Sequence, residues 1–322
     1  MIAPSNDSNI CVVIAAYNAA EYIARAVKSA LAQHEVNEVI VADDASRDET
    51  VAVARACDDG SGRLKVLVAE KNGGPSVARN RAIAVSSSAW ISILDADDFF
   101  VDGRMKHLLA HAAEADLLAD NMYQVEAADI TTRTKRLLPD FAEPLHINFT
   151  DFVLANVTQR GTNRMELGFL KPIIRRQFLS DHGITYQEQM RLGEDFELYA
   201  RALGLGARML VIPNAGYVSV IRNNSLSAQH STADLFALRD SSAALATSLP
   251  LTAAEQKVLR KHFLSLDCRA QWRRLIDAVK ARDLRAAVQC FLRPLPVPLY
   301  LAGQLLNQVY ERGMKATLKR AA

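Results

Sequence analysis

The run "ISILDADDFF", Ile91 to Phe100, carries an apolar, strand-like stretch straight into three carboxylates, Asp95, Asp97 and Asp98. Like charges this close repel and raise one another's pKa, so the trio calls for a cation. Carboxylates at a strand's end offer the hard oxygens that Mg²⁺ or Mn²⁺ prefers, with substrate phosphate completing the shell. The plainer alternative is a solvated turn in which Asp98 caps a helix beginning near Asp102. A calcium loop of the EF-hand type is disfavoured, because the run lacks alternating oxygen ligands, the glycine and the closing Glu.

Other segments carry polar groups of the same kind. Asp44, in "VADDASRDET", can accept the ring N–H of a uracil, although Asp43, Asp44 and Ser46 also read as a turn. For Asp48 the preferred reading is a cap on the following helix. In "KNGGPSVARNRAI", Asn72 ends a strand, Gly73 and Gly74 let the backbone approach a ligand, and Arg79 or Asn80 can reach a ribose or phosphate. Arg222, Ser225 and Ser227 of "YVSVIRNNSLS" fit a loop closing over a diphosphate, or else a polar strand-turn. His230 stays outside the metal set, and Lys171, Arg175 and Arg176 fit either phosphate or acceptor contacts or a solvated helix end.

Positioning such groups requires a sheet. "ICVVIAAYN", "EVIVADD", "LKVLVAE" and "AWISILDADD" read as strands, and between them lie helical stretches, the first placing Tyr22, Ile23, Ala26, Val27, Ala30 and Leu31 on one face. Strict alternation predicts a parallel sheet, with ligands beyond the carboxyl ends of its strands. After Phe100 the pattern loosens: a helix over 104–115, a strand at "DLLADNMY", a turn-rich stretch to about 165, and "RLGEDFELYARALGLG" with an apolar stripe of Phe196, Tyr199, Ala200 and Leu203. No GxGxxG follows the first strand and no GxxxxGK[ST] occurs, which argues against a dinucleotide oxidoreductase and a P-loop NTPase.

The whole chain narrows the classes further. Its 322 residues are half apolar, with a mean hydropathy of zero, the composition of a soluble globular enzyme. Cys11, Cys57, Cys268 and Cys290 are scattered without CxxC spacing, which fits a reducing compartment. "MIAPSNDSN" does not resemble a secretory signal, so the mature protein is expected to begin there. Arg293 and three prolines interrupt the longest apolar candidate for a membrane span. Net charge is +2, yet residues 255–322 hold 14 Lys/Arg against 5 Asp/Glu. This basic end suits an anionic membrane surface better than nucleic acid, for which no binding motif is present. Trp272, Leu275, Ile276 and Val279 form an apolar helical face there, bordered by arginines and lysines, that either lies on a membrane or packs against the catalytic domain.

"VVIAAYNAAEYIARAVKSALAQ", "VIVADDASRDET", "NGGPSVARNRAI", "ISILDADDFF" and "GEDFELYARAL", in that order over residues 10 to 230, resemble the inverting glycosyltransferases of family 2, most closely those of bacterial succinoglycan and exopolysaccharide biosynthesis. The resemblance implies an α/β GT-A fold: a Rossmann-like, mainly parallel central sheet flanked by helices. The nucleotide-binding half would span 1–100 and the acceptor-binding half 101–240 of a catalytic domain at 1–240, with a basic, mostly helical extension at 241–322. It further implies that Ala16 and Tyr17 line a uracil site, Asp44 bonds the base, Arg79 or Asn80 lies near the nucleoside, Asp97 faces ribose and metal, and Asp98 faces metal. Asp195 of "GED" would be the general base, with Glu194 beside it.

One acid suffices for this chemistry. Displacement at an anomeric carbon needs a group to take the acceptor's proton, while a nucleoside diphosphate leaves as a stable anion; a glycosidase needs a second acid. Acids near two others and apolar walls can have pKa values raised toward the useful range. The simpler account of Glu194 and Asp195 is a pair of acids favourable to a helix N-terminus. The expected reaction is transfer of glucose from UDP-glucose to a lipid-linked oligosaccharide, with Mg²⁺ or Mn²⁺, in the cytoplasm or on the inner face of the membrane. A nucleotidyltransferase making the sugar nucleotide, and a non-catalytic nucleotide-sugar-binding scaffold, are the alternatives.

Overall fold

The structure, a computed structural model, describes residues 8–157, 165–222 and 231–321, the side chains of 311–321 excepted. Strands β1 (Ile10–Ala16), β2 (Val36–Asp43), β3 (Leu64–Val68) and β4 (Trp90–Ile93) are mutually parallel and joined by helices α1 (Ile23–Leu31), α2 (Thr50–Arg55) and α3 (Pro75–Val85). The helical period expected of α1 holds: Ile23, Ala26, Val27, Ala30 and Leu31 are all buried, because a 3.6-residue repeat turns that stripe onto the sheet. β1 is apolar almost throughout, as a strand covered on both faces must be.

Beyond β4 the chain builds β5 (Phe99–Phe100), α4 (Arg104–Leu109), β6 (Leu117–Glu126), β7 (Lys135–Arg136), β8 (Leu145–Ile147), α5 (Phe149–Ala155), β9 (Ile173–Arg175), α6 (Arg176–Asp181), α7 (Glu194–Gly204) and β10 (Met209–Ile221). One sheet results, ordered β3-β2-β1-β4-β9-β6-β10-β5, with β7 on β6 and β8 on β10. β9 runs antiparallel to both β4 and β6, so the second half of the sheet is mixed rather than a continuation of the parallel one. The helix expected over 104–115 ends at Leu109. The start of the segment expected as a closing loop or a strand-turn, Tyr217 to Ile221, is strand: β10 passes through Pro213 and Gly216 with register irregularities and ends just before Arg222.

That long strand has a local consequence. Tyr217 pairs with Phe100 and Val218 with Phe99, so the acid-bearing turn between β4 and β5 is clamped against β10.

Four helices follow: α8 (Thr232–Ser248), α9 (Ala253–Lys280), α10 (Leu284–Phe291) and α11 (Pro296–Ala321). The boundary expected at 240 falls inside α8. Leu245, Leu249, Val258, Leu259 and Leu266 belong to the main core, while Cys268, Leu275, Cys290, Val297 and Leu301 form a separate cluster. Asp267, nearly fully buried, joins the two by accepting from Arg239 of α8 at 3.0 Å and Arg293 before α11 at 3.1 Å.

Candidate active site

The parallel half of the sheet brings the ends of β1, β2 and β4 to one edge, with Ala16 opposite Asp43 and Val13 opposite Ile93. Ala16 is buried and Tyr17 is 45% exposed just past the end of β1. Asp44 follows β2, and its two carboxylate oxygens accept from the backbone N–H groups of Gly73 at 2.8 Å and Gly74 at 2.7 Å. Asn72 closes the same contact by donating from Nδ2 to the Asp44 carbonyl at 3.1 Å. Gly74 adopts φ +94°, in the left-handed region, which lets consecutive amides converge on one carboxylate as the chain enters α3. The N-cap position of α2 is Glu49, but it is Asp48 that accepts the N–H of Thr50, the helix's first residue, and it also accepts from Ala20 N–H, tying two ligand-side loops together.

At the centre lies a network of three acids and two cations. Arg79 of α3 donates to Glu194 Oε1 at 2.7 Å and to Asp95 Oδ1 at 3.0 Å, and lies 3.5 Å from Asp195 Oδ1. Lys171 Nζ donates to Asp195 Oδ2 at 2.6 Å and lies 2.9 Å from Asp95 Oδ2. Burial opposes charge on Asp95, but Lys171 and then Arg79 outweigh it and bring the carboxyl down to about 2. Burial likewise opposes the Lys171 ammonium, and Asp195 and Asp95 overcome it, raising the lysine above its ordinary value. Tyr186 adds a hydrogen bond to Asp195 Oδ1 at 3.0 Å; burial and then the Asp195 charge push its pKa well up and keep the hydroxyl a donor.

Sequence reasoning expected acids and apolar walls around Asp195. The two other acids, Glu194 and Asp95, are there, and two cations and a tyrosine stand between and beside them, orienting the carboxylate at the start of α7. The glycine of "GED" has a steric role: Gly193 sits at φ +71°, and a Cβ there would come within 2.6 Å of Leu238 Cδ1. α8 thus packs close to the turn that presents Glu194 and Asp195.

The expected reach of Arg79 or Asn80 to a nucleoside takes another form. Arg79 is buried among the acids and lies over the Tyr186 ring, 5.3 Å from its centroid. Asn80 pairs with the Tyr186 backbone, donating from Nδ2 to the carbonyl and accepting the N–H, each at 2.9 Å. Both residues hold the surroundings of Asp195 in place. Arg175 stacks on Trp90 and Arg176 donates to the Ser88 carbonyl, so only Lys171 of that basic trio joins the site.

Asp97 and Asp98 differ sharply. Asp97 pairs with Arg222, which lies over the Tyr22 ring, and Arg25 donates to the Asp97 carbonyl at 2.6 Å. Burial and then Asp95 raise the Asp97 carboxyl, against Arg222. Asp98 is 4% exposed, and both its oxygens are taken from β10 by Tyr217 Oη at 2.7 Å and Val220 N–H at 2.8 Å. Burial, then Asp95 and Asp97, push it well above the carboxylate range. Asp98 does not cap α4, whose N-cap is Gly103, and the β5–β10 clamp engages both its oxygens. Among the described residues no group of three His, Cys, Asp or Glu is arranged around a metal position. Asp97, whose Oδ2 pairs with Arg222, nevertheless fits an ion that draws most of its shell from substrate phosphate and water. Ser225, Ser227 and His230 lie outside the described residues.

The sequence profile of glycosyl transferase family 2 matches residues 11–181. The chain belongs to glycosyl transferase family 2. Succinoglycan biosynthesis protein ExoU of Rhizobium meliloti (strain 1021) is 43% identical over 302 residues, 94% of this chain and 88% of that protein. ExoO of the same organism, also a succinoglycan biosynthesis protein, is 32% identical over 289 residues, 88% of this chain and 81% of that protein. Among solved structures, S. aureus TarS in complex with UDP-GlcNAc superposes with a TM-score of 0.63 at 19% identity, covering 87% of this chain and 89% of that one. The mannosyltransferase PcManGT from Pyrobaculum calidifontis, with GDP-Man and Mn²⁺, gives 0.58 at 15% identity, covering 96% and 90%. This family 2 glycosyltransferase therefore has the GT-A fold expected of it.

Four residues of the site escaped the sequence: Tyr186, Tyr217, Tyr22 and Arg25. Tyr22, Arg25 and Tyr217 lie inside segments the sequence singled out, but their places in the site arise only through the fold.

Proposed function

We propose that this glycosyltransferase moves a hexose, glucose from UDP-glucose, onto a lipid-linked oligosaccharide in exopolysaccharide assembly of the succinoglycan type, with inversion at the anomeric carbon. The observation that carries this reading is the Lys171 ammonium, which ties Asp195, the candidate base, to Asp95 of the donor-side acid row. Base and donor site are thereby held in one rigid frame. The relatives ExoU and ExoO support the pathway, and the complexes of TarS and PcManGT support a nucleotide-sugar donor.

In this reading Asp44, fixed by the Gly73 and Gly74 amides, accepts the ring N–H of the base with a remaining lone pair. Asp195 accepts the proton of the acceptor hydroxyl as that oxygen bonds to the anomeric carbon and the bond to the diphosphate breaks. Lys171 and Tyr186 hold the carboxylate in orientation through the step. Arg222 supplies positive charge beside Asp97. Mg²⁺ or Mn²⁺ at Asp97, completed by phosphate oxygens, would neutralise the departing diphosphate.

The test is UDP release from a panel of UDP- and GDP-sugars with Mn²⁺, with and without a lipid-linked oligosaccharide. UDP-glucose is expected to turn over fastest. Pyrophosphate release from a nucleoside triphosphate would favour the nucleotidyltransferase, and binding without turnover the scaffold; either overturns the proposal.

A further inference from the structure

α10 and the beginning of α11 fold back on α9, burying Cys290, Val297 and Leu301 against Cys268 and Leu275, with Trp272, Phe291 and Tyr300 packed around them. Much of the apolar α9 face that the sequence offered to either a membrane or the protein is therefore occupied from within. The exposed apolar surface lies on the helices that cover it. Leu284, Val288, Leu292, Leu295, Leu299 and Leu306 are 59–81% exposed. Leu284, Val288 and Leu292 recur every four residues along α10 and its C-cap, while Leu299 and Leu306 share a face of α11 at a spacing of seven. Both stripes point away from α9, because Cys290 on α10 and Val297 and Leu301 on α11 are the buried positions.

Water is a poor partner for such rows of exposed aliphatic side chains, and such surfaces mark interaction sites. The charge around them selects the partner. From residue 281 to 322 the chain carries seven Lys/Arg against two Asp/Glu, and the exposed Arg282 and Arg285 lie on either side of Leu284 with Asp283 between. A second copy meeting this surface by two-fold symmetry would set one net-basic segment against another. A bilayer with anionic headgroups accepts both features, taking leucines into the acyl boundary and arginines at the phosphates. Among the described residues no helix is long and apolar enough to cross a membrane, so contact would lie in the interface plane.

We propose that the outer faces of α10 and α11 form a monotopic docking surface for an anionic lipid bilayer. This stands apart from the identity of donor and acceptor, since it rests on a surface remote in sequence from the acids.

The experiment is flotation of the full-length protein with phosphatidylcholine vesicles, alone or with about a third phosphatidylglycerol. Expected is binding to the anionic vesicles that weakens with added salt, and a loss of about tenfold or more in partition for the triple variant Leu284→Ser, Leu295→Ser, Leu299→Ser. These side chains are exposed, so the melting temperature and the release of UDP without lipid should match wild type. Sedimentation velocity without vesicles provides the second arm. Equal binding to neutral and anionic vesicles, no flotation, flotation unchanged by the triple variant, or a lipid-free dimer that the variant abolishes would each overturn the assignment.

Discussion

The hydroxyl of Tyr217 donates to Asp98 Oδ2 at 2.7 Å and in turn accepts the N–H of Asp95 at 3.2 Å. One tyrosine on β10 thus fixes both ends of the acidic turn. With Val220 N–H on the other oxygen, Asp98 is a strut between the β4–β5 turn and β10, while Asp97 pairs with Arg222.

A metal titration separates the two acids. Asp97→Asn should raise the Mn²⁺ needed for half-maximal turnover strongly and cut activity by roughly a hundredfold or more, since it removes the anionic charge beside Arg222 that would hold the ion. Asp98→Asn preserves an acceptor for Val220 N–H and should leave the Mn²⁺ requirement within a few-fold of wild type. Equal losses of metal affinity in both would show Asp98 swinging out to the ion. Chelation by EDTA should silence the wild-type enzyme, and added Mn²⁺ should restore it.

The base is tested by Asp195→Asn. The amide keeps the shape and can still bond Tyr186, yet cannot take a proton, so kcat should fall about 10²- to 10⁴-fold while binding of the UDP-sugar, followed by calorimetry, changes little. Activity near wild type would remove Asp195 from the role.

How far the sequence reached is seen in particular elements. α1 was legible because five buried residues repeat at helical spacing, and the row of acids was legible because parallel strands must end on one edge. β9 was not: Ile173–Arg175 is three residues, too short for any period, and its antiparallel insertion between β4 and β6 is a tertiary choice. The inward turn of Asp98 was equally hidden, because "DADD" carries no sign of which carboxylate faces β10. For the α9 face the residue pattern left membrane and packing equivalent, and it took α10 and α11 in place to show Leu275 covered and Val279 exposed.

Lys171 should be needed for stability as well as catalysis. Lys171→Met leaves Arg79 as the one cation still bridging Asp95 and Asp195 among the described residues, and breaking a buried pair in this way costs up to about 3–5 kcal/mol. Asp95 carries a pH signature. Its folded pKa of about 2 lies below the unfolded carboxylate value of about 3.9, so its contribution is complete above the latter and is lost as pH falls toward about 2. Without Lys171 that contribution shrinks, and the acid unfolding midpoint of Lys171→Met should move to higher pH. An unchanged midpoint and unchanged urea stability would mean the ammonium is replaceable by water.

Glu38 provides a second pH test, remote from the acids. Its Oε2 accepts from Ser87 N–H at 2.9 Å, Ser88 N–H at 3.0 Å and Ser88 Oγ at 2.7 Å, and Lys65 Nζ lies 3.1 Å from Oε1. This one carboxylate on β2 gathers the turn that feeds β4. Burial would raise its pKa, but the Ser88 hydroxyl, the Ser87 amide and Lys65 outweigh burial and hold it at about 2. A folded value below the unfolded value of about 4.3 gives stability that is present above the latter and disappears as pH drops through about 2. Glu38→Gln should therefore cost about 1–3 kcal/mol at neutral pH, measured by urea unfolding, and progressively less as pH is lowered from 5 toward 2. A cost independent of pH would mean that the ionised carboxylate is no better an acceptor for this turn than an amide. In that case shape alone, and not charge, joins β2 to the entrance of β4.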